Sequence, residues 1–199
     1  MATPLSPGAD WLIKMRIIAG KFRSRQLKSL KGLALRPTSD MLRETLFNIL
    51  GPRVAGSSFL DLFAGTGAVG IEAISRGAVS AVFVENHPAA ARLIRENLAS
   101  LEIKSETRII ATAAAPALAK LQKERAAVFD FIFLDPPYAN KNDYELTLDS
   151  LAASPLVSES SILIAEHSKK SPLAKSIGGL EQFRLLTQGD ATLSFYRLD

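Results

Sequence analysis

The chain has no cysteine, two histidines and one tryptophan in 199 residues. Without thiols it forms no disulfide and no thiolate metal site, and a reducing compartment, the cytoplasm, fits best. No apolar run approaches the roughly 20 residues that span a bilayer. Residues 1–10 lack the basic-then-apolar pattern of an export signal. Internal repeats and low-complexity tracts are absent. What is present is an ordinary globular composition, 47% hydrophobic and 22% charged, enough to bury a core without covalent staples.

The net charge of +4 is unevenly placed. Residues 11–43 carry nine basic side chains (Lys14, Arg16, Lys21, Arg23, Arg25, Lys28, Lys31, Arg36 and Arg43) against one acid, Asp40. That segment is +8 and leaves the remainder at −4. A basic arm on a mildly acidic body suggests a polyanionic partner; a solvated surface is the alternative.

Hydrophobic patterning divides the chain. Residues 1–14 read as a disordered tail. Arg16–Gly20 and Phe22–Leu27 read as two short strands around a Gly-Lys turn. A helix is expected over Ser39–Leu50, with Thr38, Ser39 and Asp40 as N-cap types and Leu42, Leu46, Ile49 and Leu50 as its apolar stripe. From Phe59 onward short apolar runs alternate with helical stretches. The runs are Phe59–Phe63, Val79–Val84, Thr107–Ala111, Val128–Leu134 and Ser161–Ala165; the helices are Ala68–Arg76, Pro88–Ser100, Ala114–Glu124 and Asp143–Ala153. Such alternation predicts a doubly wound α/β sheet. Gln182–Thr187 and Thr192–Arg197, around Gln188-Gly189-Asp190, read as an antiparallel hairpin at one edge.

In open α/β sheets ligands bind beyond the carboxyl ends of the strands. The first run leads into Asp61-Leu62-Phe63-Ala64-Gly65-Thr66-Gly67-Ala68-Val69-Gly70, whose glycines fit G-x-G-x-x-G and let backbone approach a ligand closely. Alone this is a weak signal, equally a tight strand-to-helix turn. The second run leads into Glu85 and Asn86, where an acid accepts hydrogen bonds from ribose hydroxyls. Together these features indicate an adenosine-containing cofactor, NAD or S-adenosylmethionine. The fourth run ends in Asp135-Pro136-Pro137-Tyr138. Two prolines fix the backbone and remove two amide donors, leaving the Asp135 carboxylate and the Pro136 carbonyl as acceptors. Two acceptors that hold both hydrogens of an exocyclic amine orient its nitrogen and release its lone pair for attack on an electrophilic methyl. Tyr138 offers a flat face on which an extruded base stacks.

Here the chain resembles a known class. Asp61–Gly67 and Asp135–Tyr138 look like the motifs of adenosylmethionine-dependent amino methyltransferases. Met15–Arg23, Leu35–Asn48 and Leu193–Tyr196 sharpen the match, and the chain from about Met15 to Tyr196 resembles the RsmD family, bacterial 16S ribosomal RNA guanine-N2 methyltransferases that modify guanine 966.

The resemblance implies a seven-stranded Rossmann-like methyltransferase sheet over 53–199, with a C-terminal antiparallel hairpin and a basic β-hairpin and helix extension over 15–52. It implies S-adenosylmethionine bound by Asp61, Phe63, Ala64, Gly65, Thr66, Gly67, Glu85, Asn86 and the chain at Ala113-Ala114, with Asp135 bordering it. Asp135, Pro136, Pro137 and Tyr138 would be catalytic. Lys21, Arg23, Arg25, Lys28, Arg36, Thr38 and Arg43 would grip RNA of the small ribosomal subunit or its assembly intermediate, and a monomer is the default. Two departures stand out. Ala113 occupies the position where an acid or amide usually faces the adenine amine, leaving the Ala114 amide to serve. His87 stands where an acid is common, and reads as a helix-start residue. The competing readings are an adenine-N6 methyltransferase acting on DNA or RNA, a protein-glutamine methyltransferase, an NAD-dependent oxidoreductase and a non-catalytic RNA-binding module.

Overall fold

The computed structural model describes residues 15–29, 38–103, 106–136 and 141–199, with the side chains of 141 and 142 left aside. Two antiparallel strand fragments, β1 (Met15–Arg16) and β2 (Gln26–Leu27), precede helix α1 (Asp40–Leu50). The main sheet contains β3 (Ser58–Leu62), β4 (Ser80–Val84), β5 (Glu106–Ile110), β6 (Phe131–Leu134), β7 (Ile162–Ser168), β8 (Ser176–Ile177), β9 (Leu180–Gln188) and β10 (Ala191–Leu198). Helices α2 (Ala68–Ser75), α3 (Pro88–Ser100), α4 (Ala114–Lys123) and α5 (Lys141–Ala152) connect the parallel strands. The strand order is β5-β4-β3-β6-β7-β10-β9-β8, parallel from β5 to β7 and antiparallel beyond.

The apolar runs at the centre of the sheet, β3, β6 and β7, are strands buried on both faces, as expected of a parallel sheet, while β5 at the edge is only partly covered. Along β6, Phe131 and Phe133 point into one core with Leu46, Phe47, Ile71 and Ile94, while Ile132 and Leu134 point into the other with Leu118, Leu148 and Leu151. Each such side chain, fully buried, contributes roughly 1.5–3 kcal/mol. Met15, Ile17, Leu27 and the α1 stripe join the first core, so the N-terminal extension shares the packing of the sheet. Ser39 caps α1 by accepting from the Leu42 amide at 3.1 Å, and Asp40 in the first turn complements the helix dipole.

Two details differ from the sequence-based expectation. The sheet has eight strands, because the two-residue β8, too short to carry a pattern, pairs with β9. The N-terminal strands shrink to two residues each, and 21–24 form a turn. The physical reason lies in α2: the Ile18 and Ala19 amides donate to the Glu72 carboxylate at 2.8 and 2.9 Å instead of to a strand partner. Gly20, at φ +81°, lies so close to the end of α2 that a Cβ would stand 1.8 Å from the Ser75 carbonyl oxygen.

Candidate active site

Strand order places the switch of chain direction between β3 and β6, where an open sheet forms its ligand crevice. Register does the rest. Leu62, the last residue of β3, pairs with Val84 on one side and Leu134 on the other. The turn at Phe63–Gly67, the acid at Glu85 and the Asp135-Pro136 pair therefore leave the sheet side by side.

The turn after β3 needs left-handed backbone at Phe63 (φ 65°), Gly65 (φ 54°) and Gly67 (φ 77°). Phe63 is the unusual member, since a bulky side chain rarely adopts such a φ. The adjacent acids hold the turn. Asp61, 1% exposed, accepts from the Gly70 amide at 2.9 Å. Glu85 accepts from the Gly65 amide at 2.7 Å through one oxygen and from the His87 amide at 2.7 Å through the other. A carboxylate offers about four acceptor directions, so these two bonds leave room for ribose hydroxyls. Gly70 is demanded by packing: a Cβ there would lie 2.4 Å from the Phe83 ring. Thr66 is buried with its hydroxyl toward the Met15 sulfur at 3.4 Å, and Ala64 is 9% exposed.

Burial raises the Asp61 pKa to about 7, opposed by the Gly70 hydrogen bond and assisted by the charge of Glu85. The sign follows from linkage. The folded protein holds a proton on Asp61 that the unfolded chain releases near pH 4, so this group's contribution is fully present below about pH 4 and is lost as pH rises to about 7. Three pH units correspond to about 4 kcal/mol. Asp61→Asn is expected to remove that slope. Urea midpoints at pH 5 and pH 8 check it, and equal pH dependence in both proteins would contradict it.

Ala113 is the exposed N-cap of α4 and supplies no side-chain hydrogen bond, while Ala114 stands in the first turn, where backbone amides lack intrahelical partners. Asn86 is exposed, and His87, the N-cap of α3, makes no side-chain cap bond. Asp135 is half-buried and Pro136 buried. Pro137, Tyr138 and Arg36 lie outside the described residues.

The basic segment divides in two. Lys21 and Arg23 are exposed at the hairpin turn. Arg25 and Lys28, also exposed, lie along α3, Arg25 donating to the Ser100 carbonyl at 3.0 Å and Lys28 paired with Glu96 at 2.9 Å. Arg43 and Thr38 correct the sequence expectation. Arg43 is 0% exposed, bonded to Asp40 at 3.0 Å and 3.7 Å from Glu72. Burial lowers its pKa and the Glu72 and Asp40 carboxylates oppose that shift. Thr38 is 7% exposed and donates to Glu166 at 2.7 Å. Neither presents a surface to RNA.

Four buried polar residues escaped the sequence reading. Glu72, in α2, holds the hairpin and both Arg43 and Arg76. Asn97, in α3, donates to the Thr66 and Lys28 carbonyls at 3.1 and 3.2 Å and accepts from the Lys28 amide. Tyr144 donates to the Glu166 carbonyl at 2.7 Å and reaches the Pro136 carbonyl at 3.3 Å. Glu166 is 3% exposed. Glu72 alone left a trace, as a charge inside an otherwise apolar helix. A shallow groove lined by Glu145, Asp149, Ser176 and Ile177 lies toward the β8 edge of the sheet and holds none of the motif residues.

Residues 15–197 match the model of the family described as Conserved hypothetical protein 95. A Haemophilus influenzae relative named Ribosomal RNA small subunit methyltransferase D is 35% identical over 185 residues, 93% of each chain. The chain belongs to this family, the RsmD family. Among solved structures, Escherichia coli yhhF matches with TM-score 0.81 and 32% identity, over 94% of this chain and 98% of that one. Thermus thermophilus TTHA0928 matches with TM-score 0.77 and 32% identity, over 92% and 99%. The RsmD-family chain thus has the Rossmann-like methyltransferase fold. Among the described residues of this family member no helix is long and apolar enough to cross a membrane, and no group of three or more His, Asp or Glu is placed to hold a metal.

Proposed function

We propose that this RsmD-family chain transfers a methyl group from S-adenosylmethionine to the exocyclic N2 of a guanine in 16S ribosomal RNA, acting as a cytoplasmic monomer on the small subunit or its assembly intermediate. The observation that carries the reading is the register of β3, β4 and β6, which brings the glycine turn, Glu85 and Asp135-Pro136 out together. The donor set suits the cofactor: Glu85 for the ribose hydroxyls, the Ala64–Gly67 backbone for close approach, and the Ala114 amide for the adenine edge. Asp61 acts one step back, by fixing the helix that follows the turn. S-adenosylmethionine supplies an electrophilic methyl on a sulfonium, and no metal is needed.

The residues of the chain do the rest. The Asp135 carboxylate and the Pro136 carbonyl each accept a hydrogen bond from one N–H of the amine, which turns its lone pair toward the methyl; as the N–C bond forms the S–C bond would break, its electron pair staying on sulfur, and the one proton released would pass to Asp135. Holding the reacting atoms about 3–3.5 Å apart supplies much of the rate. Asp135 need not be a strong base, because the amine becomes acidic only as the new N–C bond forms. Tyr138 stacks on the base.

Two measurements test this reading. Adenosylmethionine is expected to bind in calorimetric titration and NAD is not; the reverse would sink it in favour of an oxidoreductase. Lys21, Arg23, Arg25, Lys28 and Arg36 would contact RNA phosphates, so affinity falls with salt. Reversing the charge of Lys21 and Arg23 should flatten the log–log salt slope by roughly 1–2 units. An unchanged slope would make the hairpin turn a merely soluble surface.

A further inference from the structure

We infer that Tyr144 is a positioning residue for the methyl-accepting amine: its hydroxyl sets the direction of the Pro136 carbonyl. The inference rests on the reading that this carbonyl accepts a hydrogen bond from the target amine.

The backbone at this point has little freedom. Proline rings fix φ at 136 and 137, so the direction of the Pro136 carbonyl depends on ψ of residue 136. That peptide carries no N–H, because residue 137 is proline, and an amide-based hydrogen-bond ladder cannot hold it. A donor has to come from elsewhere in the chain. Tyr144 supplies it from the first turns of α5, 2% exposed, with its hydroxyl 3.3 Å from the Pro136 oxygen. The phenol has a single hydrogen, which it shares between this carbonyl and that of Glu166 in β7, the shorter contact at 2.7 Å. The ring stands edge-on to His167 at 6.4 Å, which restricts its rotation. The phenol is thus anchored to the strand beside β6, and it ties the Pro136 carbonyl to the sheet. A carbonyl oxygen has two lone pairs. The one turned toward Tyr144 fixes orientation, and the other is available to the amine. Tyr144 transfers no proton; it acts through Pro136.

The neighbouring polar groups reinforce this geometry. The Glu166 side chain accepts from the Thr38 hydroxyl at 2.7 Å, so the strand carbonyl that anchors Tyr144 belongs to a residue held from the N-terminal segment as well. The site's second acceptor is thereby tied to three parts of the chain far apart in sequence: residues 38, 144 and 166.

Tyr144→Phe keeps the ring and removes only the hydroxyl. Tyr196→Phe is the matched control. Tyr196 is fully buried, and its hydroxyl likewise donates to a backbone carbonyl, that of Ala174 at 2.8 Å, in the C-terminal hairpin region. Wild type and both variants are compared in single-turnover methyl transfer to small ribosomal subunits, with adenosylmethionine affinity and thermal midpoint measured alongside. The expected result for Tyr144→Phe is a rate roughly tenfold to a hundredfold lower with cofactor affinity unchanged, because a misdirected acceptor spoils orientation and not binding. Tyr196→Phe is expected to lower the thermal midpoint and leave the rate at the wild-type value. A Tyr144→Phe rate equal to wild type, or a fall that Tyr196→Phe matches at the same loss of midpoint, would overturn the inference while leaving the proposed function standing. Absence of transfer by the wild type itself would overturn both.

Discussion

Asp135→Ala is expected to lower single-turnover methyl transfer on the order of 10³-fold while leaving adenosylmethionine affinity within about twofold. Removing one preorganised hydrogen-bonding group at a reacting centre costs on the order of 10²–10³ in rate, and the loss of the one side-chain acceptor for the amine belongs at the upper end. Cofactor affinity survives because Glu85, the Phe63–Gly67 turn and the start of α4 are untouched, and the Gly65–Glu85 and Asp61–Gly70 bonds that shape them do not involve Asp135. Asp135→Asn sharpens the test. The amide keeps one acceptor oxygen of the same reach but loses the negative charge, so its rate should fall between those of wild type and Asp135→Ala. Full activity in the alanine variant would remove Asp135 from the chemistry, and equal loss of rate and cofactor binding would make it a structural residue of the cofactor site.

Glu72→Ala is expected to cost about 3–5 kcal/mol of folding stability, because it leaves the buried Arg43 guanidinium without a fully buried counter-charge. The carboxylate is 0% exposed, 2.8 Å from Arg76, and it also accepts the Ile18 and Ala19 amides. Its removal strands two backbone donors as well as a charge. Against the 5–15 kcal/mol that typical domains have, this is a large fraction, and the urea midpoint should fall accordingly. The first part to loosen should be the hairpin at 15–27, which hydrogen exchange at Ile18 and Ala19 reports. A paired Arg43→Met, Glu72→Leu variant removes both charges and should recover part of the loss. A stability within 1 kcal/mol of wild type for Glu72→Ala would show that the hairpin docks by apolar contact alone.

What could be read from sequence was what period and spacing encode. Short apolar runs locate the carboxyl ends of β3, β4 and β6, and so the glycine turn, Glu85 and Asp135-Pro136 are legible in the sequence. Helix α3 begins and ends where its proline and apolar stripe place it, at Pro88 and Ser100. What was hidden depends on residues distant in the chain. Glu72 meets Ile18 across 54 positions and Asn97 meets Lys28 across 69, and no local pattern records such a partner. Arg43 was a different failure. It sits four before Phe47 and seven before Leu50, on the buried stripe of α1, yet its charge invited counting it as surface. Helical spacing held the correct answer, and a buried arginine was the less common outcome. The hairpin strands are shorter than the sequence suggests for the opposite reason: α2 supplies acceptors that compete with strand pairing.

The most direct test of the account is nucleoside analysis of 16S ribosomal RNA from cells lacking this protein, complemented with wild type or with Asp135→Ala. The account predicts that N2-methylguanosine at one position disappears on deletion, returns with wild type and stays absent with Asp135→Ala. An unchanged N2-methylguanosine content, or loss of N6-methyladenosine in its place, would contradict it.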